Sequence, residues 1–77
     1  MSITAAQLQT ALGVGAAQKM GVEVLREFGT FGTKQHWYIR GGATYPGRCK
    51  FVETTASDNA ATQATSVLTA MNASPSF

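Results

Sequence analysis

The first hydrophobic positions of the chain recur with the spacing of an α-helix. Four apolar residues fall on one helical face: Ala5, Leu8, Ala11 and Leu12. Thr4 and Gln7 have the spacing of a capping box, which predicts a helix that begins near Ala5. Gly13 and Gly15 then interrupt the pattern, because two glycines in three residues are costly inside a helix.

The helical period resumes from Ala16 to Phe28. Apolar residues line one side of this second predicted helix: Ala17, Met20, Gly21, Val24, Leu25 and Phe28. Charged residues line the other side: Lys19, Glu23, Arg26 and Glu27. The i,i+4 spacing of Lys19 and Glu23 favours the helix. The alternative is a strand over residues 22–31, which the alternation of its first valines would fit.

The middle of the chain predicts a β-hairpin with a long connecting loop. Residues 36–40 are dense in aromatic and β-branched side chains, and residues 48–54 form the second strand. The glycines of residues 29–33 predict a loop before the hairpin, and residues 45–48 fit a type II turn within it. Three hydrophobic residues at alternate positions are the predicted core of the hairpin: Trp37, Ile39 and Phe51.

The last predicted element is a helix. Its apolar positions form a stripe of the width expected for a core-facing helix: Ala60, Ala61, Ala64, Val67, Leu68 and Met71. A capping side chain is predicted just before it, at Thr55, Ser57 or Asp58. The helix is expected to end near Asn72, because Pro75 does not continue a helix easily.

These elements predict a single small α+β domain over residues 1–77. It consists of N-terminal helical segments, a β-hairpin and a C-terminal helix, with flexible tails at residues 1–3 and 73–77. Only 13% of the 77 residues are charged, about half of the usual fraction of about 25%. Twelve Ala and ten Thr make up much of the difference. A domain of this size is marginally stable alone, so a partner would be a natural supplement.

The hairpin carries the positive charge of the chain. Residues 28–52 have a formal charge of +4, whereas residues 53–77 carry −2. Cations that bind phosphate, interleaved with rings that stack on bases, suit single-stranded nucleic acid. The candidate contacts are Lys34, Trp37, Tyr38, Arg40, Arg48 and Lys50. The alternative is that the aromatic residues form the core of a small domain, and four cations are few for a dedicated nucleic-acid-binding protein.

The C-terminal helix has an unusual outer face, because no charged residue occurs from Ala60 to Ser74. Short uncharged side chains would let another subunit approach without burying an unpaired charge. The candidate oligomer interface is therefore the outer stripe Thr62, Ser66 and Thr69. The alternative is a neutral surface that contacts only solvent.

The sequence offers little for catalysis, metals or cofactors. One Cys and one His, Cys49 and His36, cannot supply an ordinary zinc ligand set. The two could pair across the hairpin, but no third residue orients them as in a nucleophilic site. The glycines of residues 13–18 lack the third small residue of a dinucleotide fingerprint. We therefore expect no metal, no cofactor and no enzymatic activity.

The expected location of the protein is inferred from the lack of membrane-spanning and signal-peptide segments in the sequence. Its apolar stretches are only a few residues long, so we expect no contact with a membrane. No positive residue precedes Lys19 and no apolar segment of signal-peptide type is present. The residues therefore predict an intracellular, reducing environment and no secretion by a signal peptide.

In character the chain resembles the small accessory structural proteins of tailed-phage particles. Like them it is short, rich in Ala, Thr, Gln and Gly, and nearly uncharged in its predicted helices. The resemblance implies a virion component present in many copies, such as a cement, adaptor or head–tail protein, which binds itself and other structural proteins. The location that the resemblance implies is a virion or the host cytoplasm, and the predicted function is non-enzymatic assembly through oligomer contacts. The alternative is a small nucleic-acid-binding or regulatory protein that uses the basic aromatic hairpin 34–51.

Overall fold

A computed structural model of the chain describes residues 2–13, 21–42 and 49–73. The elements, in chain order, are α1 (Ala5–Leu12), β1 (Val22–Phe31), β2 (Lys34–Gly41), β3 (Cys49–Thr55) and α2 (Ala60–Ala73). The three strands form one antiparallel sheet in the order β1-β2-β3. The α+β class is confirmed, with a third strand added to the predicted hairpin.

Helix α1 begins where its capping box predicts. The hydroxyl of Thr4 accepts the backbone N–H of Gln7 at 3.1 Å, and the side chain of Gln7 accepts the N–H of Thr4 at 2.8 Å. Gly13 ends the helix. Leu8 and Leu12 are fully buried, so the predicted apolar face does pack in the core.

Strand β1 confirms the alternative of a strand over residues 22–31, so the prediction of a second helix is wrong over residues 21–28. The earlier part of the predicted helix, residues 16–20, lies outside the described residues. Two bulges, at Leu25 and Phe28, each place two residues opposite one residue of β2. The residues that pair with the inward-facing side chains of β2 are therefore three apart: Val24, Glu27 and Thr30. The bulges also place the apolar residues Leu25 and Phe28 one and four positions after Val24, which is the spacing of a helical face and explains the error.

The first turn of the sheet is much tighter than predicted. Residues 29–31, expected in a loop, complete β1, and Phe31 pairs directly with Lys34. Only Gly32 and Thr33 connect the strands. Gly32 has a φ of +64°, the conformation required at the first central position of a two-residue type II′ turn.

The two faces of the β2–β3 pair alternate as expected for strands. Trp37, Ile39 and Val52 are buried on one side. Phe51 is 67% exposed on the other side, so the prediction that it belongs to the core is wrong. It pairs with Tyr38, whereas Val52 is the cross-strand neighbour of Trp37. The predicted type II turn at residues 45–48 lies outside the described residues.

Helix α2 is capped by a residue that the sequence pattern did not single out. The side-chain oxygen of Asn59 accepts the backbone N–H of Thr62 at 2.8 Å, as an N-cap does. The predicted caps at Thr55, Ser57 and Asp58 are therefore wrong. The buried face of the helix consists of Gln63, Ala64, Val67 and Met71. Ala61, predicted to face the core, is exposed.

Both helices pack on the same side of the sheet, α1 against β1 and α2 against β3, and they contact each other. The core between the two layers consists of Leu8, Leu12, Val22, Trp37, Ile39, Val52, Ala64, Val67 and Met71. The N-terminus is held to this body at Ile3, whose N–H and C=O both bond the buried side chain of Gln35. Ile3 is thus anchored rather than part of a flexible tail. No described element covers the opposite side of the sheet.

Candidate functional site

The uncovered side of the sheet is the candidate site, and we call it the open face. It consists of the outward-facing residues Glu23, Arg26, Phe28, Phe31, Lys34, His36, Tyr38, Arg40, Cys49, Phe51, Glu53 and Thr55. The strand register arranges these residues in rows across the three strands. One central row, for example, runs from Arg26 through Tyr38 to Phe51.

Three aromatic rings form a cluster at the centre of the open face. The ring of Tyr38 lies 4.8 Å from that of Phe51 and 6.3 Å from that of Phe28, between centroids. Phe28 and Phe51 are themselves 5.3 Å apart. These tilted and edge-on contacts are favourable for aromatic pairs. The cluster nevertheless stays accessible, since Phe28 is 41% and Phe51 67% exposed.

The second bulge of β1 places the side chain of Phe28 in this cluster. The register passes from Glu27, opposite the buried Trp37, to Gly29, opposite the outward-facing His36. Phe28 is the additional residue between them, and its ring contacts Tyr38 and Phe51. The bulge therefore places an aromatic side chain on the outward side without displacing Glu27 from the inward side.

A second aromatic contact extends the open face toward the β1–β2 turn. The ring of Phe31 meets that of His36 edge-on, with 5.1 Å between centroids, and Phe31 is 67% exposed. Exposed apolar residues scattered singly are common on protein surfaces, but contiguous ones mark contact sites. Here several neighbouring residues of one sheet face are aromatic.

Charges of both signs surround the aromatic cluster. The guanidinium of Arg26 lies 4.5 Å from the centroid of the Phe28 ring, a cation–π distance. Arg40 forms an ion pair with Glu23 at 3.0 Å. His36 Nε2 lies 2.8 Å from a carboxylate oxygen of Glu53. The open face thus carries three Lys or Arg and two Glu, so its charge is nearly balanced.

Tyr38 and Cys49 interact beside the cluster. A hydrogen bond with the side chain of Cys49 raises the pKa of Tyr38 above its ordinary value of 10.0, and the negative charge of the thiolate acts in the same direction. The Tyr38 hydroxyl is therefore neutral at physiological pH, and the nearby thiol is exposed. His36 lies opposite Glu53 and Cys49 opposite Arg40, so the two do not form a Cys–His pair.

The predicted nucleic-acid contacts do not all lie on the open face. Lys34, Tyr38 and Arg40 do. Trp37 is fully buried, and its indole N–H bonds Thr54, so its prediction as a stacking residue is wrong. Lys50 is half-buried and is the cross-strand neighbour of the inward-facing Ile39, whereas Arg48 lies outside the described residues.

The sequence pattern did not identify Phe28, Phe31 and Phe51 as residues of the site. Phe51 has a recognisable signal, because it alternates with the inward-facing Val52 and shares its parity with Glu53. Phe28 and Phe31 have none that local spacing reveals, because the bulges break the alternation of β1.

The predicted oligomer stripe lies on α2, away from the open face. Thr62 and Thr69 are exposed and Ser66 is half-buried. The hydroxyl of Ser66 donates to the carbonyl of Thr62 at 3.2 Å, and that of Thr69 donates to the carbonyl of Thr65 at 3.0 Å. These two hydroxyls are bonded within their own helix. A partner that covers the neutral stripe would therefore not have to supply hydrogen-bond acceptors for them.

An apolar groove of about 490 Å³ runs between α1 and the first turn of α2, lined by Ala6, Gln7, Thr10, Ala11, Ala60 and Ala61. Among the described residues, no three His, Cys, Asp or Glu side chains are grouped so that they could hold a metal ion. Neither described helix has the length and apolar character needed to cross a membrane.

Comparison with known proteins identifies no relative of this chain: no family model matches, and neither a curated protein nor a solved structure is similar. The open face itself combines a central aromatic cluster with a nearly balanced set of charges.

Proposed function

We propose that this protein is a non-enzymatic assembly module and that the open face is its contact surface. The observation that carries the proposal is the exposed cluster of Phe28, Tyr38 and Phe51. A domain that covers one side of its sheet with two helices leaves these rings in water on the other. Burying one large apolar side chain contributes about 1.5–3 kcal/mol, so a partner on this face gains a substantial driving force.

The charges favour a protein partner over a nucleic acid. Glu23 and Glu53 lie on the same face as the cations and would approach phosphates unfavourably. The ion pair between Arg40 and Glu23 also neutralises part of the basic character. A surface with an apolar centre and both charges around it is typical of a protein–protein contact.

A structural role in many copies is consistent with these properties. A small, marginally stable domain gains apparent stability from any partner that binds the folded state. The chain also resembles accessory structural proteins of tailed-phage particles in character, so a cement, adaptor or head–tail component is the role that we propose. The neutral stripe at Thr62, Ser66 and Thr69 is a second candidate contact in such an assembly.

The test is the mass in solution over a wide concentration range, measured by light scattering. Phe51→Thr removes an exposed ring and keeps a residue that favours strands. Asn72→Arg, at an exposed position of α2 outside the Thr62, Ser66 and Thr69 stripe, is the matched comparison. We expect the parent and Asn72→Arg to associate and Phe51→Thr to remain monomeric, all with unchanged circular dichroism. A parent that is monomeric at every concentration would contradict the proposal.

Single-stranded nucleic acid is the second candidate partner, favoured by the cations beside the exposed rings. Arg26 lies over Phe28, and Lys34 is the cross-strand neighbour of Phe31. Fluorescence anisotropy with a labelled single-stranded oligonucleotide tests this candidate. Binding through phosphates would weaken steeply as salt is raised, and the variant Arg26→Gln would reduce that dependence. Absence of binding at low salt excludes it.

A further inference from the structure

We infer that the partner of the open face is a second copy of this chain, in a closed dimer where Arg26 of each copy faces Glu53 of the other. The inference rests on the proposed function and specifies its partner. It follows from the positions of opposite charges on the two flanks of the aromatic cluster.

Arg26 and Glu53 lie on opposite flanks of the open face. Arg26 belongs to β1 and Glu53 to β3, and β2 runs between them. When two identical sheets meet face to face about a two-fold axis along β2, β1 of each copy lies over β3 of the other. A two-fold contact is reciprocal, so one arginine–glutamate contact between the copies necessarily occurs twice.

The two charges also reach similar levels along the strands. Arg26 and Glu53 belong to adjacent rows of the open face, about 6.8 Å apart along the strands, a distance that a long arginine side chain can span. Glu53 remains accessible to a cation of the other copy, because its side chain is 62% exposed even while it bonds His36. The aromatic cluster lies between these flanks, so it would be buried at the centre of the dimer contact.

The area of the open face determines how strongly two copies are expected to associate. Three strands about 4.8 Å apart and four rows about 6.8 Å apart give about 400 Å² of sheet plane per copy. The total area from two copies lies at the low end of the range for specific interfaces, below about 1,200 Å². Association should therefore be reversible and dependent on concentration. The copies are expected to touch mainly at the central rows, because sheet twist separates the ends.

Charge reversal with complementation is the test. In Arg26→Glu alone, two glutamates would meet at each contact, and in Glu53→Arg alone, two arginines would meet. We expect each variant to associate at least about tenfold more weakly than the parent, since like charges in contact are strongly unfavourable. Mixing the two variants restores an arginine–glutamate pair at both contacts, so a one-to-one heterodimer should form at close to the parent affinity. The double variant should also form a homodimer.

The measurements are analytical ultracentrifugation and native mass spectrometry, with circular dichroism to confirm folding. Asn72→Glu and Asn72→Arg are the controls, because Asn72 is exposed near the end of α2. A parent that dimerises while the single variants match it, or whose variants do not complement when mixed, overturns this pairing but leaves the proposed function intact. A parent that is monomeric throughout overturns both. If such a monomer binds the oligonucleotide, the open face serves nucleic acid instead.

Discussion

Trp37 donates its indole N–H to the hydroxyl of Thr54 at 2.7 Å, inside the core. The Thr54 hydroxyl in turn donates to the side-chain oxygen of Gln63, and the Gln63 amide donates to the backbone carbonyl of Asp58 at 3.0 Å. This chain of hydrogen bonds connects β2, β3 and α2. Three buried polar side chains are thereby satisfied without water, which makes the network a determinant of how α2 sits on the sheet.

Replacing Thr54 with Val should break this network while preserving the shape of the side chain. The Trp37 N–H and the Gln63 oxygen would both lose a partner in the core, and each unsatisfied buried group costs about 1–3 kcal/mol. Urea unfolding should show a lower midpoint with an unchanged slope. The control is Thr55→Val, because the Thr55 hydroxyl accepts a hydrogen bond from the exposed Lys34 amine and takes no part in the buried network. Equal losses in the two variants would contradict the network's importance.

Asn59→Ala should weaken α2 at its beginning. The substitution removes the acceptor for the backbone N–H of Thr62, and loss of such a cap costs about 1 kcal/mol. Thermal or urea unfolding measures the difference. Ser57→Ala, at an exposed position, should stay within about 0.5 kcal/mol of the parent. If Ser57→Ala were the more destabilising change, the cap would be assigned to the wrong residue.

Gln35→Met should release the N-terminus and leave the sheet in place. Gln35 is buried and binds both the N–H and the C=O of Ile3. Methionine is similar in size but cannot replace these bonds. Hydrogen exchange should show that the amide of Ile3 loses protection. The amide of Val24, which is bonded by the side chain of Gln9, is the internal control and should stay protected.

Cys49→Ala should lower the pKa of Tyr38 toward 10.0, because the bond with Cys49 is the largest cause of its raised pKa. Spectrophotometric titration of the phenolate measures this, with Tyr38→Phe identifying the contribution of Tyr38. The folded protein holds the Tyr38 proton more tightly than the unfolded chain does, so this group's stabilising contribution is lost as pH rises above 10.0. An unchanged titration in Cys49→Ala would contradict the assigned cause.

Elements with local signals were predictable from the sequence. The Thr4–Gln7 capping box begins α1, and the apolar stripe of α2 has helical spacing throughout. Strands β2 and β3 are rich in aromatic and β-branched residues. Strand β1 was not predictable in the same way, because its bulges replace alternation with a three-residue spacing. That spacing becomes interpretable only when the pairing with β2 is known.

The site was harder to predict than the fold, and the reason is cross-strand register. The sequence shows that Trp37 and Ile39 share one side of β2, and that Phe51 shares one side of β3 with Glu53. It does not show which side of β3 lies on the same face of the sheet as Trp37 and Ile39. That depends on how the connection between the strands sets their pairing, which places Phe51 opposite Tyr38 rather than opposite Trp37.

The bulges of β1 also determine which residues of the strand could be deleted without shifting its pairing with β2. Removing Leu25 or Phe28 would delete a residue that has no cross-strand partner of its own, so every other residue of β1 could keep its neighbour on β2. Strands without bulges lack this tolerance, because one deletion turns all later side chains to the opposite side. Homologous chains can therefore differ by one or two residues in β1 while retaining the same sheet, and loss of Phe28 would remove one ring of the open face without altering the core.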